Sequence, residues 1–277
     1  MPVTVTLNIY SGRQNPSWEL SDDQVKDFVG KIADASDTTF MKPPGIAGRL
    51  GYRGFSVKSI REPDLDRDIY LDSGILDLDR FDLNRVVGDS SLEKWLLTTA
   101  GSTVDKELTS IVEGELLARP DFDSTQGNSS SGPPAYNPGK WNNDASIRSR
   151  NNCYNYSNDK ITNTFAQPGR GSGQVFSELT CLDVGAASER DGQVPADSAS
   201  SSPAKGHFIA LVIWPGRDYH WYRLDENAKW SHKPGQTRAT NVDNSGNLIN
   251  DPEACDRGFY TSWCGYYHCV PSQTNIQ

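Results

Sequence analysis

Residues 206–235 constrain the fold more than any other stretch of the chain. They open on its most hydrophobic run, 206–214, turn at Pro215, Gly216, Arg217 and Asp218, and continue through HWYRLDENAKWSHKPG. Gly accepts backbone angles that other residues avoid and Pro lacks a donor, so this turn sends the first strand back as a second. Residues 220–235 then read as a short strand, a polar turn and another short strand. With the turn centred on Asn227, Leu224 faces Trp230 and Tyr222 faces His232. His220 lies two positions further along the same face, and same-face diagonal neighbours of an antiparallel pair are within side-chain reach. Two of the four histidines thus share one patch of sheet, and a one-residue slip of register would part them. Counting round the 215–218 turn sets His220 near Ile213. That leaves His207 about six residues away, or roughly 20 Å at 3.3 Å per residue.

The rest of the chain frames this meander. VTVTLNIY at the start alternates like a half-buried strand. Ser21 and Gln24 form a capping box ahead of a helix carrying Val25, Phe28, Val29 and Ile32 on one stripe. Residues 54–60 and 68–78 read as strands, and 91–100 and 103–119 as helices. The aspartates from Asp64 to Asp79 lack the ligand spacing of a calcium loop and read as a solvated face. Polar STQGNSSSGPPAYNPGKWNND then breaks the periodicity. The expected organisation is therefore a small α+β domain at 1–122, a Gly/Pro/Ser-rich linker at 123–143 and a second domain at 144–277. Residues 185–203, rich in Ala, Ser and Asp, read as a long surface loop, and 237–242 as a strand.

Composition excludes several classes of function. The net charge is -9, which repels phosphate backbones and anionic headgroups, so neither nucleic acid nor membrane is the expected partner. No run approaches the roughly 20 apolar residues of a membrane span. The five cysteines, three of them in the last 23 residues, favour an oxidising, extracellular setting, whereas MPVTVTLNIYSG shows no leader pattern. Cys255, Cys264, His268 and Cys269 lack a Cys-x-x-Cys pair and read as disulfide partners with a structural histidine. Asp243, Ser245 and Asn247 lack a downstream bidentate Glu and read as a tight turn. Neither a metal nor a cofactor is expected.

Cys153, in NNCYNY, carries the chemistry. If Asn151 or Asn152 caps a short helix, the thiol sits at its N-terminus, where free N–H groups favour the thiolate. An imidazole beside it would serve as general base. A cysteine in an Asn-Cys-aromatic segment, followed by a strand meander with histidines, resembles the papain-like superfamily, closest to its compact cell-wall amidase and endopeptidase branch. That resemblance implies an α+β chain with a papain-like second domain, in which Cys153 is nucleophile, His220 base and His232 its orienting partner. The implied reaction is hydrolysis of amide bonds in peptides or peptidoglycan stems, on a peptide, cell-wall or glycan-type substrate. Trp221, Tyr222 and Trp230 would wall the cleft. His207, the rival base, would act with Asp225 or Glu226. A second resemblance rests on the strings NNCYNYSNDKITNTFAQPGR, DYHWYRLDENAKWSHKPG and NVDNSGNLINDP. They are similar to a group of microbial and fungal proteins that resemble insoluble shell matrix proteins of bivalves. This implies the alternative of a non-catalytic secreted or matrix-associated binding protein for ions, glycans or proteins, with a toxin or defence role compatible with either.

Overall fold

The computed structural model describes residues 2–33, 49–62, 65–72, 75–78, 84–86, 90–116, 133–199 and 205–277. Residues 123–132 of the expected linker, and Asp64 and Asp79 of the acidic run, lie outside them. The chain is α+β and divides into two compact units. The first comprises Met1–Ile9, Asn15–Ile46 and Tyr52–Asp123; the second comprises Tyr10–Gln14, Ala47–Gly51 and Ser124–Gln277.

In the first unit, β1 (Thr4–Leu7), β2 (Ser17–Glu19), β3 (Phe55–Glu62), β4 (Leu65–Asp72), β5 (Ile75–Leu78) and β6 (Asn84–Val86) form an antiparallel sheet ordered β2-β1-β3-β4-β5-β6. Alternation puts Val5, Leu7, Phe55 and Val57 in the core, fully buried. Among the described residues, three α-helices accompany the sheet: α1 (Asp22–Ala33), α2 (Ser91–Thr99) and α3 (Lys106–Glu115). The capping box forms as expected, with Ser21 N–H donating to Gln24 Oε1 and Gln24 N–H to Ser21 Oγ. Two expectations shift. The stretch 68–78 is two strands, because Asp72 faces Ile75 in an antiparallel register. The last helix starts at Lys106, three residues late, because the Asp105 carboxylate accepts from the Leu108 N–H and so caps it.

The second unit begins with three short helices, α4 (Gly139–Asn142), α5 (Ala145–Arg150) and α6 (Cys153–Ser157), followed by α7 (Cys181–Arg190). Its antiparallel sheet contains β7 (Val194–Ala196), β8 (His207–Trp214), β9 (Asp218–Leu224), β10 (Trp230–His232) and β11 (Ser262–Cys269), ordered β10-β9-β8-β11-β7. Every residue of β8 and β9 is buried, so these central strands are covered on both faces. One core cluster gathers Cys153, Tyr154, Val184, Ile209, Leu211, Tyr219, Trp221 and Tyr267. The expected surface loop at 185–203 is in part α7 and β7. Its small residues, which look like low complexity in sequence, meet a steric demand: a Cβ on Gly185 would fall 2.3 Å from the Tyr267 hydroxyl. The strand expected at 237–242 is reduced to single bridges, His232 with Thr240 and Val242 with Leu248. Cys181 and Cys264 form a disulfide, while Cys153, Cys255 and Cys269 are free thiols.

Candidate functional site

The hairpin register is the one its turn implies, with Leu224 opposite Trp230 and Tyr222 opposite His232. His220 Nε2 therefore lies 2.8 Å from His232 Nδ1, and His232 Nε2 lies 3.0 Å from the Val242 carbonyl oxygen. These two contacts fix the protons of the neutral pair. A carbonyl only accepts, so His232 Nε2–H donates to it and His232 Nδ1 is an acceptor. His220 must then donate through Nε2, which leaves its basic lone pair on Nδ1. Tyr222 stacks on His232 at 5.0 Å and meets His220 edge-on at 4.8 Å. Both histidines are fully buried.

Helix α6 forms despite weak propensity because Asn152 and Asn155 cap it reciprocally. Asn152 Oδ1 accepts from the N–H groups of Tyr154 and Asn155, and Asn155 Oδ1 accepts from the Asn152 N–H. Cys153 is its first residue, with Sγ 4.0 Å from the carbonyl oxygen of Tyr219, the neighbour of His220 on β9. The fold thus packs the first turn of α6 on the face of β9 that carries Tyr219 and Trp221, whereas strand alternation sets His220 on the face with Tyr222 and His232. It does not activate the thiol as the helix-terminus argument expects. Cys153 is fully buried, and desolvation, with the nearby Asp218 carboxylate adding to it, pushes the thiol well above its ordinary range. A helix of five residues supplies too little opposing field.

The other expected site residues lie elsewhere. His220 faces Val212, one residue from the expected Ile213. His207 pairs with Cys269 on β11 and donates from Nε2 to the Ser157 carbonyl oxygen at 2.5 Å. It does not pair with Asp225, whose carboxylate is held by Arg223. Burial pushes the His207 imidazole down to about 4 from 6.5. An imidazole lowered in this way binds fewer protons folded than unfolded, so its stabilisation is present above pH 6.5 and is lost as pH falls toward 4. By pH 4 the loss amounts to about 3 kcal/mol. Urea unfolding of a His207→Gln variant between pH 7 and 4 is expected to show a pH dependence flatter by that amount; equal slopes would contradict it.

Trp221, Tyr222 and Trp230 are core residues and not the walls of an open cleft. Trp221 packs on Tyr154 and Tyr267, and Trp230 on Tyr266. His268 donates to the Lys205 carbonyl oxygen. Asp243 closes its turn by accepting from the N–H groups of Ser245 and Asn247. No group of three metal-ligating side chains occurs among the described residues.

Sequence reasoning missed three buried polar residues. Lys233 Nζ donates to the carbonyl oxygens of Arg148, Asn151 and Gly235, tying the hairpin to the α5–α6 junction. Arg223 is bound by Asp225 and Asp159. Asp218, read only as a turn residue, is fully buried and accepts from the N–H groups of Ser11, Gly12 and Arg13. The one legible signal was charge inside otherwise apolar strand arms, at Asp218, Arg223 and Lys233.

No protein-family profile and no solved structure matches the chain. Among curated proteins it is similar to insoluble matrix shell protein 1 of Ruditapes philippinarum, with 49% identity over 138 residues. Those residues make up 49% of this chain and 90% of the shell protein. At that identity and coverage, the chain belongs to the family of insoluble matrix shell protein 1.

Proposed function

We propose that this protein is a non-catalytic, matrix-associated binding protein for ions, glycans or other proteins. The observation that carries the reading is the 49% identity to an insoluble matrix shell protein over nine-tenths of that protein's length. The buried Cys153 thiol, pushed far above the range in which it would ionise, supports it. In this reading residues 1–122 serve as a scaffold or targeting domain, 123–143 as linker and 144–277 as the binding domain. Cosedimentation of the full chain with particles of chitin or calcium carbonate tests it. Retention well above that of an unrelated protein of equal net charge is expected. Retention equal to the control on both materials would sink the reading.

A second reading is favoured by the proton order of the histidine pair. A papain-like thiol hydrolase for amide bonds of peptides or peptidoglycan stems needs a base lone pair turned away from its orienting partner. His220 Nδ1 has that character. Cys153 would be the nucleophile, His220 the base and His232 the orienting residue. Native iodoacetamide labelling separates the two readings. The binding reading expects Cys153 to react at least about tenfold more slowly than an unhindered cysteine at pH 7. Fast labelling below pH 8 that is abolished by His220→Ala would instead establish the hydrolase.

A further inference from the structure

Within the second unit, Ser11, Gly12 and Arg13 are gripped along their main chain by side chains far away in sequence. Three successive N–H groups donate to the Asp218 carboxylate, at 3.1 Å from Gly12 and 2.9 Å from Arg13. The Tyr260 hydroxyl donates to the same carboxylate and so orients it. On the other side, the Gly12 carbonyl oxygen accepts from Asn152 Nδ2 at 3.1 Å, Gln167 Nε2 at 2.9 Å and the Tyr219 hydroxyl at 3.1 Å. All of these side chains are buried. The middle position admits only glycine, because a Cβ on Gly12 would fall 2.5 Å from the Tyr219 ring. Arg13 continues into an open depression of about 560 Å³, which Phe176, Glu178, Leu179 and Gly216 help to line.

We propose that Asp218, Asn152, Gln167 and Tyr219 form a receptor for an extended, glycine-centred peptide, which Ser11–Gly12–Arg13 occupies in cis and a peptide of the same kind from another chain can occupy in trans. The contacts made by these four side chains are to main-chain groups, so they do not depend on the strap belonging to this chain; the strap itself contributes the absence of a Cβ at its centre and, from the Arg13 guanidinium, a hydrogen bond to the Arg217 carbonyl oxygen. Beyond the centre, the Glu178 carboxylate suits a basic residue and Phe176 with Leu179 suits an apolar one. The family relative adds an independent argument. Its 138 matched residues are 90% of it, so it is about 150 residues long, whereas Ser11 and Asp218 are 207 residues apart. A relative of that length that keeps the receptor would have no room for the strap at this spacing. The inference goes beyond matrix association and stands whether or not the protein binds chitin or carbonate.

The test uses the full chain and the acetylated, amidated pentapeptide of residues 10–14 carrying a fluorophore. Gly12→Val is expected to expel the strap and to bind the pentapeptide at least about tenfold more tightly than the wild type, whose own strap competes. A pentapeptide with valine in place of the central glycine is expected not to bind, and Asp218→Asn added to Gly12→Val is expected to abolish binding. A folded Gly12→Val chain that ignores the pentapeptide, or that takes the valine version equally well, overturns the proposal. If Gly12→Val does not fold, hydrogen exchange on the wild type decides. Excess unlabelled pentapeptide is expected to speed exchange at the Ser11, Gly12 and Arg13 amides, with β8 unchanged. Unchanged exchange at those three amides overturns the proposal.

Discussion

Arg223→Met is expected to destabilise the second unit by about 3–5 kcal/mol, because it removes one partner of a buried ion pair and strands the other. The guanidinium is 1% exposed and lies 4.1 Å from the centre of the Tyr156 ring. It donates to Asp225 Oδ1 at 2.8 Å, to Asp159 Oδ1 at 3.1 Å and to the Tyr156 hydroxyl at 3.0 Å. Burial already pushes the Asp225 carboxyl up, and Arg223 is the largest influence holding it down. Without Arg223 that carboxylate must take up a proton or draw in water. Methionine keeps much of the side-chain volume, so the loss reports charge and hydrogen bonding more than a cavity. Urea unfolding followed by tryptophan fluorescence measures it. The double variant Arg223→Met with Asp225→Leu is expected to recover a large part of the loss, since neither member of the pair is then left buried without the other. A single variant within about 1 kcal/mol of wild type would show that the pair contributes little.

Removing the Cys181–Cys264 disulfide is expected to have an effect of similar size through the unfolded state. The crosslink joins the first residue of α7 to β11 across 83 residues. A closed loop of that length restricts the unfolded chain by about 4.5 kcal/mol on the chain-entropy account. In the folded state the bond pins α7 to the sheet, where Val184 and Ala187 are already buried. The double variant Cys181→Ser with Cys264→Ser is expected to melt roughly 10 °C lower. Reduction of the wild type is expected to give the same shift. A melt unchanged by both treatments would mean that the crosslink does not constrain the unfolded ensemble.

Both effects lie in the unit whose layout was most legible beforehand. The pairing of Tyr222 with His232 followed from the polar turn at Asn227, because a hairpin's register is set by its turn and by which face is apolar. The capping box at Ser21 was equally local. Less legible were the elements whose signal is not periodic. Strands β8 and β9 are buried on both faces, so alternation says nothing about which side meets α6. Helix α6 contains Asn, Tyr and Ser and would not be stable alone; two asparagine side chains and packing against β9 hold it.

The sequence by itself determined the histidine pair, the hairpin register, the helix at Ser21 and the kinship with a shell matrix protein, since each is written in neighbouring residues or in identity along a long stretch of chain. Tertiary structure alone decided the electrostatics of the site. Whether Cys153 ionises depends on how completely the core desolvates it, and that core is built from α6, α7 and three strands distant in the chain. The grip of Asp218 on Ser11, Gly12 and Arg13 spans more than two hundred residues, 207 from Ser11. No spacing rule reaches that far, because proximity across such a separation is a property of the folded topology and not of any local pattern.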